Sequence, residues 1–203
     1  MLSRIIELCY NKDSCGGFVS YSKLASIYLQ NYYPGKNSMR RKDREVTDFN
    51  QILKMIDHCE VLRLGLSDGD FPYIVPVNFS YEADAETKQI CYYIHGAMAG
   101  RKYELLQKNP KCSFEMDTQL KIDYLYDCHD ITTRYECVMG TAEAEEIPDS
   151  EKEKIMQEKL LSRWEEAKTF PWNRAALKRC AMFRIVVKTI SGKMNPLGGG
   201  ADL

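Results

Sequence analysis

Between residues 61 and 192 the apolar residues come mostly in short runs of strand length, separated by polar turns. Val61–Ser67 reads as a strand. Asp68-Gly69 is the strongest hairpin signal in the chain, and Pro72–Tyr81 is the return strand. Pro76 inside that return strand cannot donate to a ladder, which predicts an edge or a bulge. Gln89–Ile94 is a nearly continuous apolar and aromatic strand, and Cys112–Met116 alternates. Thr118–Asp130 reads as irregular and polar, with aromatic residues. Thr132–Glu146 reads as one long strand with a bulge or bend at Gly140, and Cys180–Gly192 as the last strand.

Helical spacing appears between these runs. Ser20–Tyr32 fits a short helix in an opening extension, residues 1–36. Thr47 or Asp48 caps a helix whose apolar face carries Ile52, Leu53, Met55 and Ile56. A helix after Gly100 carries Leu105 and Leu106 and ends at Asn109-Pro110, because proline disfavours helix in the residue before it. Pro148 opens an acidic helix to about Ala167, and a short one ends near Lys178. Residues 194–203, rich in glycine, read as a flexible tail. About six antiparallel strands with helices between some of them predict a mainly β fold with α decoration, a small β-barrel over residues 37–193.

Composition narrows the function classes. The 203 residues carry a net charge of −1, so no global field draws the chain to nucleic acid or to a membrane surface. No apolar run reaches the roughly 20 residues of a membrane span. The eight cysteines form no C-x-x-C, and several fall in strands, as expected of reduced thiols in a cytoplasmic protein. Cys128-His129-Asp130 is the one local metal candidate, and adjacent residues on an extended chain point apart, so no metal is expected.

The candidate chemistry lies at Gln89–Asp117, a strand, a small-residue turn and a helix that opens with Arg101 and Lys102. A helix N-terminus favours an anion, arginine adds a bidentate fork and lysine a point charge. Neither a Walker loop nor G-x-G-x-x-G is present. The residues alone fit either a phosphate site or two solvated basic side chains opening a surface helix. Arg40–Arg44 is a second basic run, either a solvated arm or a cover for an anionic ligand.

Five segments in order resemble a known family. They are MRRKDREVTD at 39–48, LGLSDGDFPYIVPVNFSY at 64–81, YYIHGAMAGRKYELLQKNPKCSFEMD at 92–117, TRYECVMGTAE at 133–143 and FRIVVKTISGK at 183–193. The chain is similar to the pyridoxamine 5′-phosphate oxidase-like FMN-binding split barrels, and within them to the nitroimidazole-resistance branch. The resemblance implies a homodimeric split barrel with flavin at the subunit interface. FMN is the implied cofactor, with FAD, haem or a deazaflavin as alternatives. NADH or NADPH would be the transient electron donor, and a small molecule such as a nitroaromatic the substrate.

Carried onto this chain, the resemblance places Val75, Pro76, Val77, Asn78 and Phe79 beside the flavin ring. His95, Gly96, Ala97 and Gly100 lie near the ribityl chain and phosphate, and Arg101 and Lys102 bind the phosphate. Tyr135 falls near the ring, Trp172 reaches the partner's flavin, and Arg41 lies over the site. His95 is the candidate proton donor, or a binding residue. Val75–Asn78 lacks the basic residue that ends this strand in the true oxidases, so vitamin B6 oxidation is not implied. A non-catalytic flavin-binding or redox-sensing module remains an alternative function. A cofactor-free barrel or a nucleic-acid binder would need a basic, aromatic sheet face, and the residues offer only the arm at 40–44.

Overall fold

The computed structural model describes residues 39–195. The helical extension expected at 1–36 and the tail from residue 196 lie outside the described residues. Met194 and Asn195, expected in that tail, belong instead to the last strand.

Eight antiparallel strands form one open sheet. They are β1 (Glu45–Val46), β2 (Leu62–Leu66), β3 (Tyr73–Val77), β4 (Ser80–Ala83), β5 (Ile90–Ala97), β6 (Lys111–Leu125), β7 (Asp130–Glu146) and β8 (Cys180–Asn195). The order is β3-β2-β6-β7-β8-β5-β4, with β1 added beside β8. The helices are α1 (Phe49–His58), α2 (Arg101–Lys108), α3 (Asp149–Ile155) and α4 (Glu165–Thr169). The mainly β fold read from the sequence is the one found, a sheet that curls without closing.

The two end strands come from the single return strand expected at Pro72–Tyr81. Tyr73–Val77 pairs with β2 at one end of the sheet, and Ser80–Ala83 pairs with β5 at the other. Between them the chain crosses at Asn78-Phe79, and the Phe79 ring turns fully inward. Because β3 and β4 do not pair with each other, the barrel stays split. Pro76 therefore sits in an edge strand, where its missing N–H removes no second ladder. The turn before β3 takes Gly69 through a left-handed φ of 67°, which glycine adopts without steric cost.

The segment Thr118–Asp130 is not irregular. β6 continues to Leu125 and returns as β7 through a tight turn, so the two form one long hairpin. Its register sets Ile122 opposite Thr133 and Tyr124 opposite Ile131, the β-branched and aromatic cross-strand pairs that favour a ribbon. Arg134 adds two bonds to Asp123, of 2.6 and 2.8 Å. The acidic helix expected to run to Ala167 is also broken. After α3 the backbone widens into a π-turn at Met156–Leu160, tightens at Leu161–Arg163 and becomes extended at Trp164 before α4. This change of pitch lets Ile155, Met156 and Leu160 all be buried.

The core lies inside the curled sheet. Asp48 caps α1 by accepting from the Gln51 N–H at 2.8 Å, a contact worth about 1 kcal/mol. The helix then buries Ile52, Met55 and Ile56 in one cluster with Leu62, Leu64, Phe114 and Ile185. Tyr92 is at the centre, edge-on to Phe79 at 5.6 Å and to Phe114 at 5.2 Å. A second cluster, Tyr93, Ile147, Ile155, Met156, Leu160 and Met182, joins α3 and the π-turn to β5 and β8.

Tyr92 is fully buried, yet its hydroxyl has no hydrogen-bond partner among the described residues. A buried, unsatisfied hydroxyl costs more than it contributes. Tyr92→Phe is therefore expected to leave thermal stability unchanged or to raise it by up to about 1 kcal/mol. A fall in melting temperature would show that the hydroxyl is bonded in solution.

Candidate functional site

The chemistry expected around His95 to Lys102 lies at one corner of the sheet. His95, Gly96 and Ala97 end β5, and the turn through Met98–Gly100 leads into α2. Gly100 occupies the N-cap with φ 98°, so no side chain caps the helix. The first N–H groups of α2 thus have no intrahelical partner and no capping oxygen. Unpaired N–H groups at a helix start favour a negative charge beside them.

Lys102 folds back from α2 over β5. Its Nζ lies 3.4 Å from the His95 carbonyl oxygen, and a Cβ built on Gly96 would stand 2.6 Å from that Nζ. Glycine at 96 is what lets the ammonium group lie there. Lys102 is half-buried, and it has no carboxylate within ion-pair distance among the described residues. Burial holds its pKa below the ordinary lysine value. An ammonium group drawn partly out of water without a counter-charge favours an anion beside it.

Arg101 is held differently. Its guanidinium is paired with Asp68 on the β2–β3 turn and lies 5.1 Å from the centre of the Tyr73 ring. Through these two contacts the start of β3 meets the start of α2. Asp68 and Tyr73 were not foreseen as parts of the site. The Asp68-Gly69 pair signalled a turn, and nothing along the chain marks an acidic turn residue as the partner of an arginine 33 positions later.

β3 contributes an exposed outer row, Ile74 and Pro76, which Asn78 continues just beyond the strand, while Val75 is half-buried and Val77 buried. Of the expected ring-binding set, Val77 and Phe79 place their side chains in the core. Three exposed apolar side chains sit on segments of this corner: Phe71 before β3, Ile74 within it and Met98 after β5. His95 is exposed at the surface yet crowded by its neighbours. Partial desolvation, and then the Lys102 ammonium, lower its pKa from the ordinary histidine value, which biases the ring toward its neutral form.

Tyr135 and Arg41, expected at the site, lie far from this corner. His95 pairs with Met182 near the start of β8, whereas Tyr135 pairs with Asn195 at its end, about 40 Å away along the strand. Arg41 and Arg44 cluster at the Tyr135 end. Arg44 Nη1 is 3.4 Å from the Tyr135 hydroxyl, and Arg41 pairs with Asp43. Trp172 is half-buried against the second cluster of its own chain. Within one chain the structure therefore unites β3, the end of β5 and α2, and separates them from Tyr135 and Arg41.

No helix among the described residues is long and apolar enough to cross a membrane, and these residues contain no group of three or more His, Cys, Asp or Glu arranged to hold a metal.

The family model described as pyridoxamine 5′-phosphate oxidase matches residues 48–194, more than two thirds of the chain. No curated protein matches. Among solved structures, one described as a candidate 5-nitroimidazole antibiotic resistance protein from Bacteroides thetaiotaomicron is 24% identical, with a TM-score of 0.63 over 74% of this chain and 86% of that one. A flavocytochrome from Azotobacter vinelandii is 16% identical, with a TM-score of 0.67 over 83% and 78%. An FAD and haem binding protein from Mycobacterium smegmatis is also 16% identical, with a TM-score of 0.65 over 78% and 76%. At these identities the likeness is one of fold.

Proposed function

The chain belongs to the pyridoxamine 5′-phosphate oxidase family, and from that premise we propose that it is a flavin-binding oxidoreductase acting on a small molecule. The observation that carries this reading is the uncapped start of α2 beside the half-buried, carboxylate-free ammonium of Lys102. The pair forms a cradle for a phosphate, and Gly96 keeps it open. The similarity to a flavocytochrome and to an FAD and haem binding protein adds support for a flavin.

In this reading the N–H groups of α2, Arg101 and Lys102 hold the phosphate of FMN. The exposed row of β3 lies beside the ring, where backbone and Asn78 offer hydrogen bonds. When bound, the flavin supplies electron transfer between NADH or NADPH and a small acceptor, such as a nitroaromatic. Asp68 keeps Arg101 turned toward Tyr73, which fixes one edge of the guanidinium and leaves the rest for the phosphate. His95, whose ring is biased toward the neutral form, serves as a hydrogen-bonding residue rather than as a stored acid.

The separation of Tyr135 and Arg41 from this corner has a place in the same reading. If they contact the flavin, they do so from a second subunit, across the interface of a homodimer. The exposed Phe71, Ile74 and Met98 are suited to be covered by that subunit.

The absorption spectrum of the purified protein tests the proposal, followed by mass identification of what heat releases. A yellow protein releasing FMN is the expected result. Release of FAD would keep the phosphate cradle and require room beyond it for an adenylate. A Soret band would move the chemistry to haem. A colourless protein that takes up no added flavin would overturn the proposal.

A further inference from the structure

Past Gln119 and Tyr135 the β6–β7 hairpin runs on as a two-stranded arm. β2 pairs with β6 only as far as Glu115, and β8 pairs with β7 only from Tyr135 onward. Five residue pairs, Lys121–Arg134 to Leu125–Asp130, therefore have no third strand beside them among the described residues. They span about 15 Å before the turn at residues 126–129.

The arm has two unlike faces. Lys121, Asp123 and Arg134 share one, closed by the Arg134–Asp123 and Lys121–Asp123 ion pairs. Cross-strand partners lie on the same face, so Ile122 with Thr133 and Tyr124 with Ile131 make up the other. On that face Ile122 is 44% exposed, Tyr124 60% and Ile131 62%. A two-stranded hairpin is marginally stable in water unless its apolar face is packed against something. A contiguous exposed apolar face of this kind marks an interaction surface.

The position of the arm points to its occupant. Along β7 the face of Ile131 and Thr133 continues into Tyr135, because alternate residues share a face. The flavin reading brings Tyr135 to the phosphate corner of a second chain, and the arm beside it arrives there too. That corner exposes Phe71, Ile74 and Met98. The two apolar groups cannot meet within one chain, since Tyr135 and His95 are about 40 Å apart along β8. In a two-fold pair they meet twice, each arm on the other chain's corner. Their exposed apolar area is on the order of 800 Å² per chain, which is what a standard interface takes from each partner.

We propose that the arm of each chain covers the phosphate corner of a second copy, with Ile122, Tyr124 and Ile131 seated on Phe71, Ile74 and Met98. The proposal rests on the flavin reading for the placement of Tyr135, but its test uses no flavin.

Sedimentation velocity of the full-length chain and of two variants tests it. Ile122→Lys/Ile131→Lys charges the arm, and Phe71→Glu/Ile74→Glu charges the corner. All four side chains are exposed, so both variants should fold and keep the wild-type circular dichroism spectrum. The wild type is expected to be a dimer at low micromolar concentration, and each variant alone should dissociate roughly a hundredfold more readily. An equimolar mixture of the two should recover the dimer. The mixed pair sets a native arm on a native corner and a lysine arm on a glutamate corner. A monomeric wild type, a variant that dimerises as the wild type does, or a mixture no tighter than its components would each overturn the proposal. Recovery of the mixed pair in a protein that takes up no flavin would support the arm contact and defeat the flavin reading.

Discussion

Gly140→Ala is expected to destabilise the protein by roughly 4 kcal/mol, at the upper end of single substitutions. Gly140 lies in the middle of β7, between Phe114 on β6 and Ile190 on β8. A Cβ there would stand 1.9 Å from the Thr189 carbonyl oxygen and 2.6 Å from the Phe114 ring. The ring is a core member packed edge-on against Tyr92, so it has nowhere to retreat. The carbonyl is backbone in the neighbouring strand, next to the place where the register of β7 and β8 shifts between Thr141 and Ala142. Relief would require moving β8 away from β7 or expelling Phe114, and both disrupt the centre of the sheet. A fall in melting temperature of roughly 10 °C should follow for a domain of this size. A variant that melts within a degree or two of the wild type would mean that the two strands do not approach this closely in solution.

Gly140 also shows what the sequence could and could not announce. An isolated glycine in a strand pattern signals a bulge or a close approach, and no local rule chooses between them. The register shift lies one residue further on, at Thr141/Ala142, and the glycine serves the Phe114 ring and the Thr189 carbonyl. Both neighbours come from other strands, more than 20 residues away in the chain. The same reason explains the missed hairpin at Thr118–Asp130. Taken singly, Asp123 and Asp130 look like loop residues. They favour a ribbon only once the register joins them across two strands.

Elements with local determinants were legible. The Asp48 cap, the end of α2 at Asn109, the Asp68-Gly69 turn and the edge position of Pro76 each follow from one or two residues. The candidate site divides in the same way. The uncapped helix start with Arg101 and Lys102 is contiguous, and it was visible. The hold of Asp68 and Tyr73 on Arg101 is a tertiary contact, and it was not. The distance between Tyr135 and His95 depends on which ends of β8 they pair with, a property of the assembled sheet.

Arg101→Ala/Lys102→Ala is expected to weaken FMN binding by roughly two to four orders of magnitude, since each charged hydrogen-bonding group contributes about 1.5–3 kcal/mol and the two share one phosphate. Riboflavin, which lacks the phosphate, should bind the variant and the wild type alike. Without ligand the variant should fold at least as well. The Arg101–Asp68 pair is largely exposed on the arginine side, so its loss costs between zero and about 1 kcal/mol. Against that loss, two positive charges leave the first turn of a helix whose dipole disfavours them, and Lys102 no longer has to hold an ammonium group partly out of water. The expected result is thus an empty variant at least as stable as the wild type and a weaker hold on FMN, the sign expected of groups placed for a ligand. Fluorescence titration with FMN and riboflavin, together with melting curves of the flavin-free forms, separates the cases. Equal loss of both ligands would indicate a damaged fold. A double variant that purifies with its full flavin complement would show that the phosphate binds elsewhere.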